Sequence, residues 1–281
     1  MESTAIATPT RHKETRLSDW LHERRTVLVG YSGGADSTYL TVIAREILGR
    51  DAVLAVLGRS ASVPAEQARR AEAMAADHDI DLRVVDSGEL ADPRYAANPV
   101  NRCYFCKSVL WEVLTPIARE HGFQTVIDGT NADDVSEYRP GALAAREHGI
   151  ESPLAVVGLT KAEIRLLSRE RGLATWSQPS APCLASRIPY GLSVTTERLS
   201  QIERAEQSLR DLGIAGDLRV RHHGDLARIE LDPGVIDEWL EPRNSRRMVE
   251  AVRASGFQRV TLDLRGFRSG SLNVLEGVVA A

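Results

Sequence analysis

The stretch Thr26-Val-Leu-Val-Gly-Tyr-Ser-Gly-Gly-Ala-Asp-Ser37 limits what this chain can fold into more than any other. Thr26 to Tyr31 is β-branched and apolar, as in a buried parallel strand. Ser32-Gly-Gly-Ala-Asp-Ser37 breaks that run, and Ser37 to Leu48 resumes at helical period with apolar Leu40, Ile43, Ala44 and Ile47. A strand, a small-residue loop and a helix start together make an anion site. Glycines let backbone N–H groups converge on one point, and the open amides of a helix N-terminus favour negative charge. Gly-Gly alone would mark only a turn. The full string, in this setting, predicts phosphate binding by Ser32, Gly33, Gly34, Asp36 and Ser37.

No Lys stands inside the loop, so it is not the Gly-x-x-x-x-Gly-Lys-Ser loop of motor and switch NTPases. It resembles the PP-loop of the N-type ATP pyrophosphatases. That resemblance implies cleavage of ATP between the α and β phosphates, with AMP left on a substrate. The loop would hold the pyrophosphate end.

Downstream, strands are predicted at Ala52–Leu57, Leu82–Val85 and Thr125–Asp128, with helices at about 64–78 and 106–121 between them. This alternation predicts an α/β fold, a doubly wound parallel sheet with right-handed crossovers. Ligands of such sheets bind beyond the carboxyl ends of the strands, where the Ser32–Ser37 loop and Asp128-Gly-Thr-Asn131 both lie. Residues 131–141 read as a polar loop carrying Asp134 and Arg139. Thr160 and Glu163 form a capping box for a helix over 161–171. The Pro- and Gly-rich stretch 174–193 reads as the seam to a smaller α+β unit with a helix at 195–212, strands at 218–222, 227–231 and 259–264, and a helix at about 233–254. The expected division is a flexible tail at 1–15, a nucleotide domain at 16–180 and a C-terminal substrate or oligomerisation domain at 181–281.

The 281 residues carry a net charge of −4, which argues against a nucleic-acid partner. No apolar run reaches transmembrane length. Cys103, Cys106 and Cys183 are the only cysteines, and an odd count is not a complete disulfide set, which points to a reducing, cytoplasmic compartment. A redox pair, a zinc site completed by His, an iron–sulfur cluster on three thiolates and three unrelated thiols all remain open on spacing alone. All three cysteines read as loop residues flanked by Arg102, Lys107 and Arg187, a setting suited to metal-bound thiolates. His222 and His223 occupy opposite faces of a strand, which makes them a poor ligand pair.

Four further segments carry a more specific resemblance: Asn98-Pro-Val-Asn-Arg-Cys-Tyr-Phe-Cys-Lys107, Tyr138-Arg-Pro-Gly141, Ala181-Pro-Cys-Leu-Ala-Ser-Arg-Ile-Pro-Tyr-Gly191 and Leu262-Asp-Leu-Arg-Gly-Phe-Arg-Ser-Gly270. Together they resemble the LarE family, ATP-dependent sulfur transferases that help build the nickel-pincer nucleotide cofactor. The resemblance implies Mg²⁺ and ATP as reactants and adenylation of a carboxylate of pyridinium-3,5-biscarboxylic acid mononucleotide, a small-molecule nucleotide. Sulfur then replaces AMP. One branch of the family sacrifices a single cysteine, left as dehydroalanine; another holds a [4Fe-4S] cluster on three. The trio here matches the second branch, with Cys103, Cys106 and Cys183 as ligands and an unknown sulfide donor. By the same resemblance Arg187 holds a phosphate or the substrate carboxylate. Asp134, Arg139, Ser186, Glu206, Arg219 and Glu230 belong to the substrate and phosphate site, and the protein is a homo-oligomer. The rival readings are a tRNA thiolase, an ammonia-using amide synthetase and a non-catalytic nucleotide sensor.

Overall fold

The computed structural model describes residues 6–135, 140–179 and 182–268. The chain forms two compact units, one of residues 1–92 and 101–181 and the other of 93–100 and 182–281. The first contains helix α1 (Thr8–Arg24), strand β1 (Val27–Tyr31), α2 (Ala35–Leu48), β2 (Val53–Arg59), α3 (Ala65–Asp77) and β3 (Leu82–Asp86). After α4 (Pro93–Ala96), which belongs to the second unit, the first resumes with α5 (Arg102–Glu120), β4 (Thr125–Asp128), α6 (Ala132–Val135), α7 (Pro140–Glu147), α8 (Pro153–Val156) and α9 (Lys161–Glu170).

The four strands make one parallel sheet in the order β3-β2-β1-β4, with Val27 beside Val53 on one flank and Thr125 on the other. Alternate residues of each strand feed opposite faces. Val27, Val29 and Tyr31 pack with Leu17, Leu21, Leu40, Ile43, Ile164 and Leu167 of α1, α2 and α9. Leu28, Leu54, Val56 and Val126 pack with Trp111, Leu114 and Ile117 of α5. Gly30 belongs to this second face because a Cβ there would come within 2.8 Å of the Trp111 ring. Both faces are therefore covered, as a parallel sheet requires.

The second unit contains α10 (Thr196–Asp211), β5 (Leu218–His223), β6 (Leu226–Leu231), α11 (Ile236–Leu240), α12 (Pro242–Ala254) and β7 (Arg259–Leu262). Strand β6 lies between antiparallel β5 and parallel β7. A separate core of Ala205, Leu209, Val220, Ile229, Trp239, Met248, Val252 and Phe257 holds it.

Several expectations change. Residues 8–24 are helical, although the sequence reads as a frayed tail to residue 15. The tail is ordered by distant partners: Tyr39 donates to Glu14 at 3.0 Å, Arg171 pairs with Glu14 at 2.7 Å, and Lys13 pairs with Glu163 at 2.8 Å. Helix α5 starts four residues earlier than periodicity indicates, so Cys103 and Cys106 lie in its first turns rather than in a loop. The polar stretch after β4 contains α6 and leads into α7. The single helix expected over 233–254 is broken into a short 3₁₀ turn, α11 and α12, with Pro242 opening the last. Residues 93–100 join the second unit through Asn98, fully buried at φ 55°, whose Nδ2 donates to the carbonyls of Pro189 (2.7 Å) and Leu192 (2.9 Å). Backbone bonds Gly191 to Asn98 and Val194 to Ala96 complete that attachment.

Candidate active site

In the first unit, Gly33 has φ +71°, and a Cβ there would meet the Ala71 Cβ at 2.4 Å. Only glycine fits both the backbone and the space. The Ser32 amide donates to Ser37 Oγ at 3.2 Å, and the two serine hydroxyls are 3.0 Å apart, which closes the loop on itself. Gly34 ends extended, and α2 begins at Ala35, which leaves the first-turn amides of Ala35, Asp36 and Ser37 open at the helix end. Gly129, at the end of β4, packs so closely that a Cβ would lie 2.9 Å from the Ser37 amide. The two loops at the carboxyl edge of the sheet thus meet backbone to backbone.

Asn131 follows in the second loop and is fully buried. Its Oδ1 accepts from the amides of Asp133 and Asp134, at 2.9 and 3.2 Å, and the Asp134 carboxylate accepts from the Asn131 amide at 3.1 Å. Asp134 is itself buried, and its charge reaches Asp36. Burial pushes the Asp36 carboxyl above the ordinary range; Lys161 opposes that shift and Asp134 adds to it. Asp36 Oδ1 and Asn131 Nδ2 are both buried, and the Asn131 side chain opposes the upward shift of the Asp36 carboxyl, so the two groups face one another across the loops. The glycine cradle and the open amides fit the phosphate end of a nucleotide. Asn131 lies at the carboxyl edge where the sequence placed it beside the Ser32–Ser37 loop, whereas Lys161, at the start of α9, went unassigned because no local pattern ties it to that loop.

Cys103 and Cys106 stand at i, i+3 on α5, on the same side of the helix, with Cys103 exposed and Cys106 half-buried. Gly141 at the start of α7 packs over this turn, and a Cβ there would lie 3.0 Å from Lys107 Cγ. Arg139 falls outside the described residues.

In the second unit, half-buried Cys183 caps a 3₁₀ turn, Leu184–Arg187. Arg187 is 4% exposed and all three of its guanidinium nitrogens are engaged. Nε and Nη2 donate to the two carboxylate oxygens of Glu206, at 2.9 and 3.1 Å. Nη1 donates to the carbonyls of Pro182 (2.7 Å) and Cys183 (3.1 Å) and to Ser186 Oγ (3.0 Å). Glu206 also accepts from the Val220 amide at 2.9 Å. A second buried pair, Arg221 with Glu230 at 2.6 Å, reaches the same turn, where Arg221 donates to the Ser186 carbonyl at 2.9 Å. Arg228 adds a further bond to Glu230, at 3.1 Å. Arg219 differs. Its guanidinium lies over the Phe267 ring at 4.7 Å, donates to the Leu218 carbonyl, and stands 3.9 Å from Asp217. Burial, then the charge of Arg187, lowers its pKa, while Glu206 and Asp217 oppose that shift.

The structure therefore gathers Ser186, Arg187, Glu206, Arg219 and Glu230 around the Cys183 turn, and Asp36, Ser37 and Asp134 around the nucleotide loop. Arg221 was not singled out in the sequence, although it alternates with Arg219 along β5. Among the described residues, no group of three or more His, Cys, Asp or Glu side chains is arranged to hold a metal ion.

The NAD synthase family model matches residues 13–93, the segment that includes the Ser32–Ser37 loop. An uncharacterised protein of Synechocystis sp. is 44% identical over 93% of this chain and 97% of its own length. The pyridinium-3,5-bisthiocarboxylic acid mononucleotide synthase of Lactiplantibacillus plantarum is 35% identical over 93% of this chain and 94% of its own. The chain belongs to the LarE family. It is thus an ATP-dependent sulfurtransferase built on the PP-loop fold. Likeness extends further out to a component of the glutamine-hydrolysing GMP synthase of Thermoplasma acidophilum, 27% identical over 66% of this chain and 63% of that one. As in the sequence, no described helix is long and apolar enough to cross a membrane.

Proposed function

We propose that this LarE-family enzyme converts a carboxylate of pyridinium-3,5-biscarboxylic acid mononucleotide into a thiocarboxylate, for nickel-pincer cofactor synthesis. A carboxylate is a poor electrophile, so it is activated first. Its oxygen attacks the α-phosphorus of MgATP, the bond from that phosphorus to the bridging oxygen of the β-phosphate breaks, and pyrophosphate leaves. Sulfide then attacks the acyl carbon, and AMP departs with the electron pair of the C–O bond. The amides of Gly33 to Ser37 hold the leaving pyrophosphate, and Ser32 shapes the loop. Asp36, Asp134 and Lys161 set the charge beside it. Arg219 takes the substrate phosphate, and Arg139 belongs to the same substrate set.

Three cysteines in a LarE-family chain support Cys103, Cys106 and Cys183 as ligands of a [4Fe-4S] cluster, with none of them tied up in a disulfide. Such a cluster supplies an iron open to sulfide when bound. The same reading makes the protein a cytoplasmic homo-oligomer recharged by a separate sulfide donor.

The observation that carries the proposal is the open PP-loop cradle in a chain 35% identical to the named synthase along nearly its whole length. Anaerobic incubation with MgATP, sulfide and the biscarboxylate should release AMP and pyrophosphate in step with thiocarboxylate, and the purified protein should contain iron and acid-labile sulfide. Absence of pyrophosphate release removes the enzymatic reading. Iron-free, active protein in which Cys183 becomes dehydroalanine replaces the cluster with sacrificial transfer.

A further inference from the structure

Resting on the reading that Cys183 takes part in sulfur delivery, we propose that Arg187, braced by Glu206, is a positioning residue that fixes the peptide of Cys183. The Cys183 side chain leaves a backbone whose own carbonyl, and that of Pro182 before it, both accept from Arg187 Nη1. Those bonds set the peptide planes on either side of the Cys183 Cα, and hence the direction of the Cα–Cβ bond. The guanidinium is held from the other side by both oxygens of Glu206, and Glu206 is held by the Val220 amide of β5. The turn that bears the thiol is therefore bolted to a sheet strand through a bidentate ion pair whose arginine is buried and whose glutamate is half-buried. Arg221, paired to Glu230, fastens the far end of the turn at the Ser186 carbonyl.

This separates the roles of two neighbouring arginines. Arg187 is 4% exposed, spans a carboxylate and two carbonyls, and has its cationic charge matched by Glu206. Arg219 has no carboxylate closer than 3.9 Å among the described residues. At Arg219 an incoming phosphate meets a cation whose carboxylate, Asp217, stands 3.9 Å away, whereas at Arg187 it would have to displace Glu206 or the turn itself. Lysine carries the charge of arginine but not its planar fork, so Arg187→Lys retains attraction for an anion and loses the two-sided clamp.

The test separates adenylation from sulfur transfer in wild-type protein and in Arg187→Lys and Glu206→Gln. Thiocarboxylate formed per pyrophosphate released should fall by about 100-fold in both variants, the scale of an ångström-level misplacement. Alkylation of Cys183 by iodoacetamide in the cluster-free protein, followed by peptide mass spectrometry, should change in rate relative to Cys103 and Cys106. Breaking one half of a buried pair can unfold a domain, so the double variant Arg187→Met with Glu206→Leu accompanies them; it replaces the pair by apolar volume and removes the clamp without leaving a lone charge. A KM for the substrate raised about tenfold, with thiocarboxylate per pyrophosphate and Cys183 alkylation unchanged, overturns the inference and makes Arg187 a substrate-binding residue. Failure of the wild-type protein to release pyrophosphate would instead refute the proposed function.

Discussion

Asp36 shows how a single side chain is placed for chemistry at the expense of the fold. Burial raises its carboxyl above the ordinary 3.8, so the unfolded chain ionises at lower pH than the folded one. A carboxyl raised in this way favours folding while protonated and opposes it once pH has risen through the folded value. At neutral pH the charge on Asp36 therefore destabilises the protein, the pattern expected where function opposes stability. Asp36→Asn should unfold at higher urea concentration than wild type at pH 7.5 while losing pyrophosphate release. An unchanged or lower midpoint contradicts this account. Gly33 is constrained by space as well as by backbone. Gly33→Ala adds a methyl where Ala71 Cβ stands 2.4 Å away and forces a left-handed conformation costing about 1–2 kcal/mol. ATP binding measured by calorimetry should be lost in that variant.

At the scale of elements, Glu163 joins helices that are distant in sequence. It completes the capping box of α9, accepting from the Thr160 amide at 2.9 Å, and takes Thr10 and Lys13 of α1 on its other side. Burial works against its charge, yet the bonds from Lys13, Thr160 and Thr10 prevail and hold the carboxyl down to about 2, from an ordinary 4.5. A depressed carboxyl stabilises the fold above the unfolded value and loses that contribution as pH falls through the folded one. Wild-type stability should accordingly decline between pH 4.5 and about 2. Glu163→Gln should lose about 1–2 kcal/mol at neutral pH, from the cap and the Lys13 pair together, and should show a shallower acid decline. Equal slopes for the two proteins in urea titrations across that range would count against the α1–α9 link.

The whole molecule has its cores divided between two units, each with its own buried apolar set. Trp20, Trp111 and Trp176 lie in the first unit and Trp239 in the second, so a variant retaining only Trp239 reports the second. Denaturant unfolding should resolve two steps. MgATP at about 100 times its Kd should stabilise the step of the first unit by about 2.7 kcal/mol and leave the Trp239 step where it was. A single coincident transition that moves as a whole with MgATP would show the units to be one cooperative body.

Much of this architecture is written locally. The strand–loop–helix at Thr26–Ser37 was legible because its chemistry is set by adjacent residues: small residues for the cradle, β-branched ones for the strand, helical period from Ser37 onward. The capping box at Thr160 and Glu163 and the β-α alternation were legible for the same reason, and family likeness of the cysteine segments gave the sulfur chemistry. Tertiary structure decided what depends on partners far along the chain. It ordered residues 8–15 through Tyr39, Glu163 and Arg171. It drew residues 93–100 into the second unit by the buried amide of Asn98. It also distinguished Arg187, held by both oxygens of Glu206, from Arg219, whose ion pair with Asp217 spans 3.9 Å. A sequence states which charges a chain carries; only the packed fold determines which of them are already neutralised and which remain for a ligand.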